Sequence, residues 1–157
     1  MKENQETYQL FYGKAAAYCS LAEHCPSEVR EKMRQWETPV ECVEELIQQL
    51  IQDDFINECR YCKAFVSDKL KYNKWGCIKI AYELRRKGLP NPLVQDALQS
   101  IDEDEYFELA LSLMEKKNKE VKAQDAYERK AKLFRFMAGR GFELELMERV
   151  YFKVMDA

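Results

Sequence analysis

Apolar side chains recur with the period of an α-helix along most of this chain. In the segment "VECVEELIQQLI", Val43, Leu46, Ile47, Leu50 and Ile51 stand at i, i+3, i+4, i+7 and i+8, which places them on one helical face. Similar stripes recur in later segments. They predict a chain built from short amphipathic helices, without a sheet.

Helix start and stop residues divide the chain into about nine such helices. Pro26 is favoured as a first helical residue, and Thr38 to Glu41 has the pattern of a capping box with proline at the first helical position. Gly88 and Gly141 are typical left-handed residues after a helix end. Four predicted helices cover approximately residues 6–21, 26–36, 57–72 and 92–100. Two further helices end near residues 87 and 139, and three further helices begin near residues 39, 102 and 142. Residues 117–124 are expected to form a charged, weakly specified connection.

The segment from Tyr82 to Leu98 resembles a second segment, Arg135 to Tyr151, that follows 53 residues later. The matching positions are Leu84 with Met137, Gly88 with Gly141, Leu93 with Leu146 and Lys79 with Lys132. A weaker copy lies 51 residues upstream, where Val29 matches Ile80, Met33 matches Leu84, and Glu37 stands in place of the glycine. A period near 50 residues is typical of stacked helical units.

These patterns predict an all-α fold of three tandem three-helix repeats stacked in an array. The expected repeats are residues 1–54, which are the most degenerate, residues 55–101 and residues 102–157. The alternative is three helical hairpins in one bundle, which has the same helices. The shared glycines and the shared lysine favour the repeats.

Charge is unevenly distributed along the chain. The 157 residues are 34% charged and carry a formal net charge of -3, which argues against a general nucleic-acid binder. Residues 37–58 contain seven acidic residues and no basic one, whereas residues 69–87 contain seven basic residues and one acidic one. Such segregation predicts a surface with separate acidic and basic regions.

The chain lacks the residue patterns that catalysis requires. His24 is the only histidine, no Ser/His/Asp or Cys/His set can be assembled, and no glycine-rich phosphate loop occurs. Acidic pairs such as Glu44 with Glu45 are explained as solvated surface charge. We therefore expect a protein that is not an enzyme and that needs no cofactor.

Six cysteines allow two interpretations. Cys59 and Cys62 have the spacing of zinc ligands, and Cys19, His24 and Cys25 would complete a set. However, Cys59 and Cys62 are expected in mid-helix, and no second Cys-x-x-Cys occurs, so free thiols are favoured. The N-terminus has no apolar signal core and no segment has the length of a membrane span, which predicts a cytoplasmic protein.

The segment "DDFINECRYCKAFVSDKLKYNKWGCIKIAYELRRKGLP" combines an acidic and aromatic start, an Ala-Phe pair, a basic stretch and an "EL-basic-basic-K-G" ending. This order resembles the central repeat of the RecX family of regulatory proteins. The matching residues are Phe55, Arg60, Tyr61, Ala64, Phe65, Lys69, Lys74, Gly76, Ile80, Glu83, Leu84, Arg85, Lys87 and Gly88. The segment "KAKLFRFMAGRGFELELMERV" is similar to the closing repeat of the family. The first repeat departs from the family, with Cys25 in place of a serine cap and Glu37 in place of glycine.

The resemblance implies that the three repeats form an elongated, curved array. It also implies a monomeric regulator that lies in the groove of the RecA recombinase filament. There it would modulate, and most often inhibit, ATP hydrolysis, strand exchange and stimulated repressor cleavage. The expected partner-binding surface is basic with interleaved aromatic rings, which suits an acidic protein groove or the DNA that the filament carries. Its residues are Lys69, Lys71, Lys74, Trp75, Lys79, Arg85, Arg86, Lys130, Lys132 and Arg135. The alternatives are a protein that binds single- or double-stranded DNA directly, and a helical scaffold for another protein partner.

Overall fold

The computed structural model describes residues 2–156, and within them it contains helices and no strand, with 79% of the chain helical. This confirms the predicted all-α fold. The helices are α1 (Lys2–Leu21), α2 (Pro26–Gln35), α3 (Val40–Gln52), α4 (Glu58–Asp68), α5 (Cys77–Arg86), α6 (Asn91–Gln99), α7 (Glu103–Glu120), α8 (Ala126–Gly139) and α9 (Leu144–Asp156), and a π-helix (Lys69–Asn73) continues α4. Over the same residues, no helix is both long enough and apolar enough to cross a membrane.

The helices pack in three groups of three, here called the first, second and third units: α1–α3, α4–α6 and α7–α9. Each unit has its own apolar core, and the extensive contacts between described helices all lie within a unit. The accessible surface is 10152 Å², whereas a compact protein of this mass exposes about 8300 Å². An extended array of helical repeats accounts for the difference.

The division between the first and second units falls close to Phe55 and Ile56. Both side chains pack in the core of the first unit, and Asn57 then caps α4 by accepting a hydrogen bond from the N–H of Arg60 at 2.9 Å. The predicted division of the chain into residues 1–54, 55–101 and 102–157 stays a prediction.

The second helix of every unit ends in the same hydrogen-bonded turn. Its left-handed residue is Glu37, Gly88 or Gly141, with φ of 59°, 90° and 93°. The next N–H in each turn donates to a carbonyl five residues back, as in the Schellman motif. The donors and acceptors are Thr38 to Met33 at 2.9 Å, Leu89 to Leu84 at 3.2 Å, and Phe142 to Met137 at 3.2 Å. The first unit therefore keeps the turn although it lacks the glycine.

The predicted capping box at Thr38 is wrong. Thr38 belongs to the turn that closes α2, its hydroxyl is buried without a hydrogen-bond partner, and α3 begins at Val40 after Pro39. The backbone of Thr38 is already committed to the Schellman turn, so its side chain does not face the first turn of α3.

The predicted connection over residues 117–124 is also wrong in part. Helix α7 continues to Glu120, because the lysines and glutamate of this stretch are good helix formers. The true connection is short, and Arg129 ties it by donating from Nη1 to the backbone and side-chain oxygens of Asn118 at 2.9 and 3.0 Å.

The second helices of the three units follow one another end to end. The start of α5 meets the end of α8: Gly76 N–H donates to the carbonyl of Arg140 at 2.7 Å and Ile78 N–H to that of Gly141 at 3.0 Å. The start of α2 meets the end of α5, where Lys87 Nζ lies 3.3 Å from Glu28 Oε2. The negative end of each helix dipole thus faces the positive end of the next.

The contact between α5 and the third unit requires glycine on both sides. A Cβ on Gly76 would lie 2.4 Å from the carbonyl carbon of Gly141, and a Cβ on Gly141 would lie 2.3 Å from the Cβ of Lys79. A second contact supports this junction. The hydroxyl of Tyr106 accepts from Cys77 N–H at 2.9 Å and donates to Glu143 Oε1 at 2.5 Å, and burial together with this carboxylate raises the pKa of Tyr106.

We expect Gly76→Ala to lower the free energy of unfolding by about 1–3 kcal/mol, because the added methyl group overpacks a backbone contact that cannot move away. Gly13→Ala is the matched control, since Gly13 lies inside α1 with no atom within 4 Å of the added Cβ. The control should gain about 0.5–1 kcal/mol. Urea unfolding followed by circular dichroism measures both. Equal stability of the Gly76→Ala variant and the parent would contradict the close approach.

Candidate functional site

Two of the predicted surface lysines lie over the ring of a third predicted residue, Trp75. The ammonium groups of Lys69 and Lys79 lie 4.9 and 4.7 Å from the ring centroid of Trp75, and the edge of this half-buried ring meets Phe65 at 6.3 Å. Lysines held over an aromatic face contribute about 0.5–2 kcal/mol each and keep their charge oriented. The structure therefore places Lys69, Trp75 and Lys79 in one cluster, here called the Trp75 cluster.

The π-helix explains how the Trp75 cluster forms. It ends at Asn73, the next residue Lys74 has a left-handed backbone with φ of 56°, and the N–H of Trp75 then donates to the carbonyl of Lys69 at 3.1 Å. This geometry turns the Trp75 ring back towards Lys69. Short π-helical segments occur often at functional sites, and periodicity alone did not predict this one.

Lys71 and Lys74 lie beside this cluster at an open cleft of about 400 Å³ between the second and third units. Both are exposed, and Lys74 Nζ donates to the carbonyl of Lys71 at 2.6 Å. The opposite wall of the cleft carries Asp102 and Glu105, and its lining includes Leu70. Lys71 and Lys74 are thus available to solvent and to a partner.

Arg85 and Arg86 lie at the other end of α5 and are tied to neighbours. Arg85 Nε donates to Asn91 Oδ1 at 3.0 Å, and Arg86 Nη1 lies 3.8 Å from Glu83 Oε2. Both are exposed. Because they lie in the last turn of α5, their positive charges also interact favourably with the negative end of the helix dipole. This interaction explains cations at these positions without any binding partner.

The predicted residues of the third unit form a separate group on α8. Lys130 Nζ lies 5.2 Å from the ring centroids of both Phe134 and Tyr151. Lys132 Nζ lies 3.0 Å from Glu128 Oε1 and donates to the carbonyl of Lys122 at 2.7 Å. Arg135 is exposed. The structure shows no contact between this group and the Trp75 cluster.

Lys79 and Lys132 occupy matching places but have different neighbours. Each contacts the residue four positions earlier in sequence: Lys132 contacts Glu128 on the same helix, whereas Lys79 contacts Trp75, which lies in the connection before α5. An exposed ion pair like that of Lys132 contributes less than about 1 kcal/mol and exchanges readily with another anion. Lys79 instead lies over an aromatic ring.

Two further lysine and aromatic groups were not predicted. Lys14 and Lys32 lie 4.9 and 6.0 Å from the ring centroid of Trp36 in the first unit, and Lys117 lies 4.8 Å from that of Phe136 in the third. The pair Lys32 and Trp36 has helical spacing and was visible in the sequence. Lys14 and Lys117 come from other helices, so only the fold brings them to these rings.

The cysteines do not assemble a metal site within residues 2–156, where no group of three or more histidine, cysteine or acidic side chains is placed to hold an ion. Cys25 and Cys62 are fully buried in the core of the second unit. Burial raises the pKa of the Cys62 thiol to about 11 and that of Cys19 to about 11. Such thiols stay protonated at neutral pH, whereas zinc binds the thiolate.

Fold and surface together define a helical-repeat protein that presents lysines over aromatic rings. Two family models match it: "RecX, second three-helix domain" over residues 57–98 and "RecX, third three-helix domain" over residues 103–151. The chain belongs to the RecX family.

Curated relatives and solved structures agree with this assignment. Proteins named regulatory protein RecX are 32% identical over 130 residues in Clostridium beijerinckii, covering 82% of this chain and 60% of the relative, and 30% identical over 147 residues in Clostridium botulinum, covering 91% and 68%. The chain thus spans little more than half the length of several relatives, 53% for that of Bacillus cereus. A crystal structure of RecX from Lactobacillus salivarius superposes with a TM-score of 0.86 over 98% of this chain and 99% of that one at 21% identity, which shows a common fold.

We expect the purified protein to carry no stoichiometric zinc and to keep its helical circular dichroism in chelator and reductant, because its buried thiols act as small apolar side chains. Elemental analysis together with circular dichroism before and after chelation measures this. About one zinc ion per chain, with loss of helix on chelation, would contradict it.

Proposed function

We propose that this protein is a cytoplasmic, monomeric regulator that binds the RecA recombinase filament and modulates its ATP hydrolysis, with inhibition as the expected direction. Membership of the RecX family and the names of its relatives, regulatory proteins, support the regulatory role. We assign no catalytic role to any residue of the protein. The protein acts by occupying a surface of the filament.

The observation that carries the proposal is the end-to-end row formed by α2, α5 and α8. Three helices that follow one another in a row suit a long, narrow groove better than a flat or globular partner surface. The Trp75 cluster and Lys130 lie along this row, at α5 and α8. A filament groove that is acidic, or that exposes DNA phosphate, would match these cations.

Within that surface we assign the central contacts to Lys69, Trp75 and Lys79, with Lys71 and Lys74 beside them. Their ammonium groups stand on rings or face solvent, so they lose little order and little solvation when a partner anion replaces water. Lys130, Lys132 and Arg135 form a second contact region on α8. Arg85 and Arg86 extend the surface towards the first unit.

We expect the double charge reversal Lys79→Glu with Lys132→Glu to raise the concentration needed for half-maximal RecA inhibition more than tenfold, about 1.4 kcal/mol or more. The measurement is single-stranded-DNA-dependent ATP hydrolysis by the cognate RecA while the variant is titrated. The double variant should melt within about 5 °C of the parent, because it removes one exposed ion pair and one lysine–aromatic contact at the surface but no core contact.

Lys116→Glu with Lys119→Glu is the matched control, since both lysines are exposed on α7 and the change in net charge is the same. It should inhibit within about twofold of the parent, as expected for a charge away from the contact. A Lys79 and Lys132 variant that inhibits as well as the parent would place the contact surface elsewhere. A parent protein without any effect on RecA would refute the function itself.

A further inference from the structure

The two junctions of the array are built from different interactions. Uncharged backbone groups join the second and third units: Gly76 and Ile78 donate to Arg140 and Gly141, and the Tyr106 hydroxyl accepts from Cys77 N–H. Among residues 2–156, no backbone hydrogen bond joins α2 to α5. Side chains instead join the first and second units, and charged side chains are prominent among them.

The charged contacts of the first junction are three ion pairs, made by Lys87 and Arg60. Lys87 Nζ lies 3.3 Å from Glu28 Oε2, while Glu28 Oε1 accepts from the N–H of Cys25 at 3.1 Å. Arg60 on α4 contacts Glu23, and its Nη1 lies 3.2 Å from Asp54 Oδ2. The side chains in these bridges remain 29–70% exposed, so dissolved ions reach them.

The overall charge of the two units acts in the same direction as the bridges. Residues 1–54 contain five basic and eleven acidic residues, whereas residues 55–101 contain nine basic and four acidic residues. Attraction between a negative and a positive unit is weakened by salt, because the screening length falls from about 10 Å at 0.1 M to about 3 Å at 1 M.

The side chain of Cys25 also crosses this junction. Cys25 is the residue before α2, in the first unit, yet its fully buried thiol packs in the core of the second unit with Tyr61 and Leu89. Movement of the first unit away from the second must expose this thiol. Cys62 is equally buried in the same core but belongs to α4, so it stays covered by its own unit.

We infer that the first junction is an electrostatic latch, which opens as a unit when charged groups or salt compete for Arg60 and Lys87, while the second junction stays closed. The second and third units then form one rigid body. The first unit is attached to it through Asp53–Asn57 and swings when the latch opens. Opening of the latch lets the array change its shape on contact with a charged binding partner. The latch does not depend on the identity of that partner.

The test is pulse alkylation with the neutral reagent N-ethylmaleimide, read at each cysteine by mass spectrometry. Raising NaCl from about 50 mM to about 1 M should speed modification of Cys25 about fivefold and leave Cys62 unchanged. The variant Arg60→Gln with Lys87→Gln should react at the fast rate at both salt concentrations. Hydrogen exchange at Gly76 and Ile78 should be independent of salt.

Three results would overturn the latch. Cys25 modification that does not respond to salt would show that the bridges do not hold the junction. Equal acceleration at Cys25 and Cys62 would show opening of the whole second core. Faster exchange at Gly76 and Ile78 in parallel with Cys25 would show that both junctions open together. Arg30→Gln with Arg34→Gln is the matched control, because it also removes two positive charges and because both ion pairs lie within the first unit, Arg30 Nε 2.7 Å from Glu44 Oε1 and Arg34 Nη2 2.6 Å from Glu31 Oε1.

Discussion

The close backbone approach of Gly76 to Gly141 is the constraint on which the rest of the array depends. Two main chains touch there without side chains between them, and the N–H groups at the start of α5 use the carbonyls at the end of α8. Helix starts leave such N–H groups unpaired, and helix ends leave such carbonyls unpaired, so each end satisfies the other. The junction fixes the direction of α5 and, through it, the position of the Trp75 cluster and of the cleft beside it. At the first junction Cys25 stands at the position that Gly76 has at the second, and charged side-chain contacts take the place of the backbone hydrogen bonds.

The helices and their repetition could be predicted from sequence, because amphipathic spacing and terminal glycines are local properties. The equivalence of Gly88 and Gly141 corresponds in the structure to identical Schellman turns. Local patterns failed where tertiary contacts decide. Thr38 and Glu41 look like a capping box, but the turn that closes α2 uses Thr38 first. The same turn at Glu37 could not be predicted, because the sequence shows only that glycine is replaced and does not show that this glutamate adopts the left-handed conformation.

The candidate surface was predictable as a set of cations but not as a geometry. Lys79 and Trp75 are four residues apart in sequence, but Trp75 lies in the connection before α5, so their contact follows from the turn into the helix rather than from helical spacing. Lys69 joins them only because a π-helix and the left-handed Lys74 turn the chain back on itself. The same fold separates Lys132 from this cluster and gives it Glu128 as a partner. Charge along the chain thus locates the basic region, whereas the backbone decides which cations act together.

A protein of this shape and charge pattern can bind a filament through its helices or bind the DNA in the filament directly, and one experiment separates these cases. The measurement is co-sedimentation of this protein with single-stranded DNA, with and without assembled RecA, at about 0.2 M salt. At this salt, binding that relies on phosphate contacts alone is strongly weakened. Our account predicts that the protein sediments with the RecA filament and stays in solution with DNA alone. Equal sedimentation with and without RecA would contradict it.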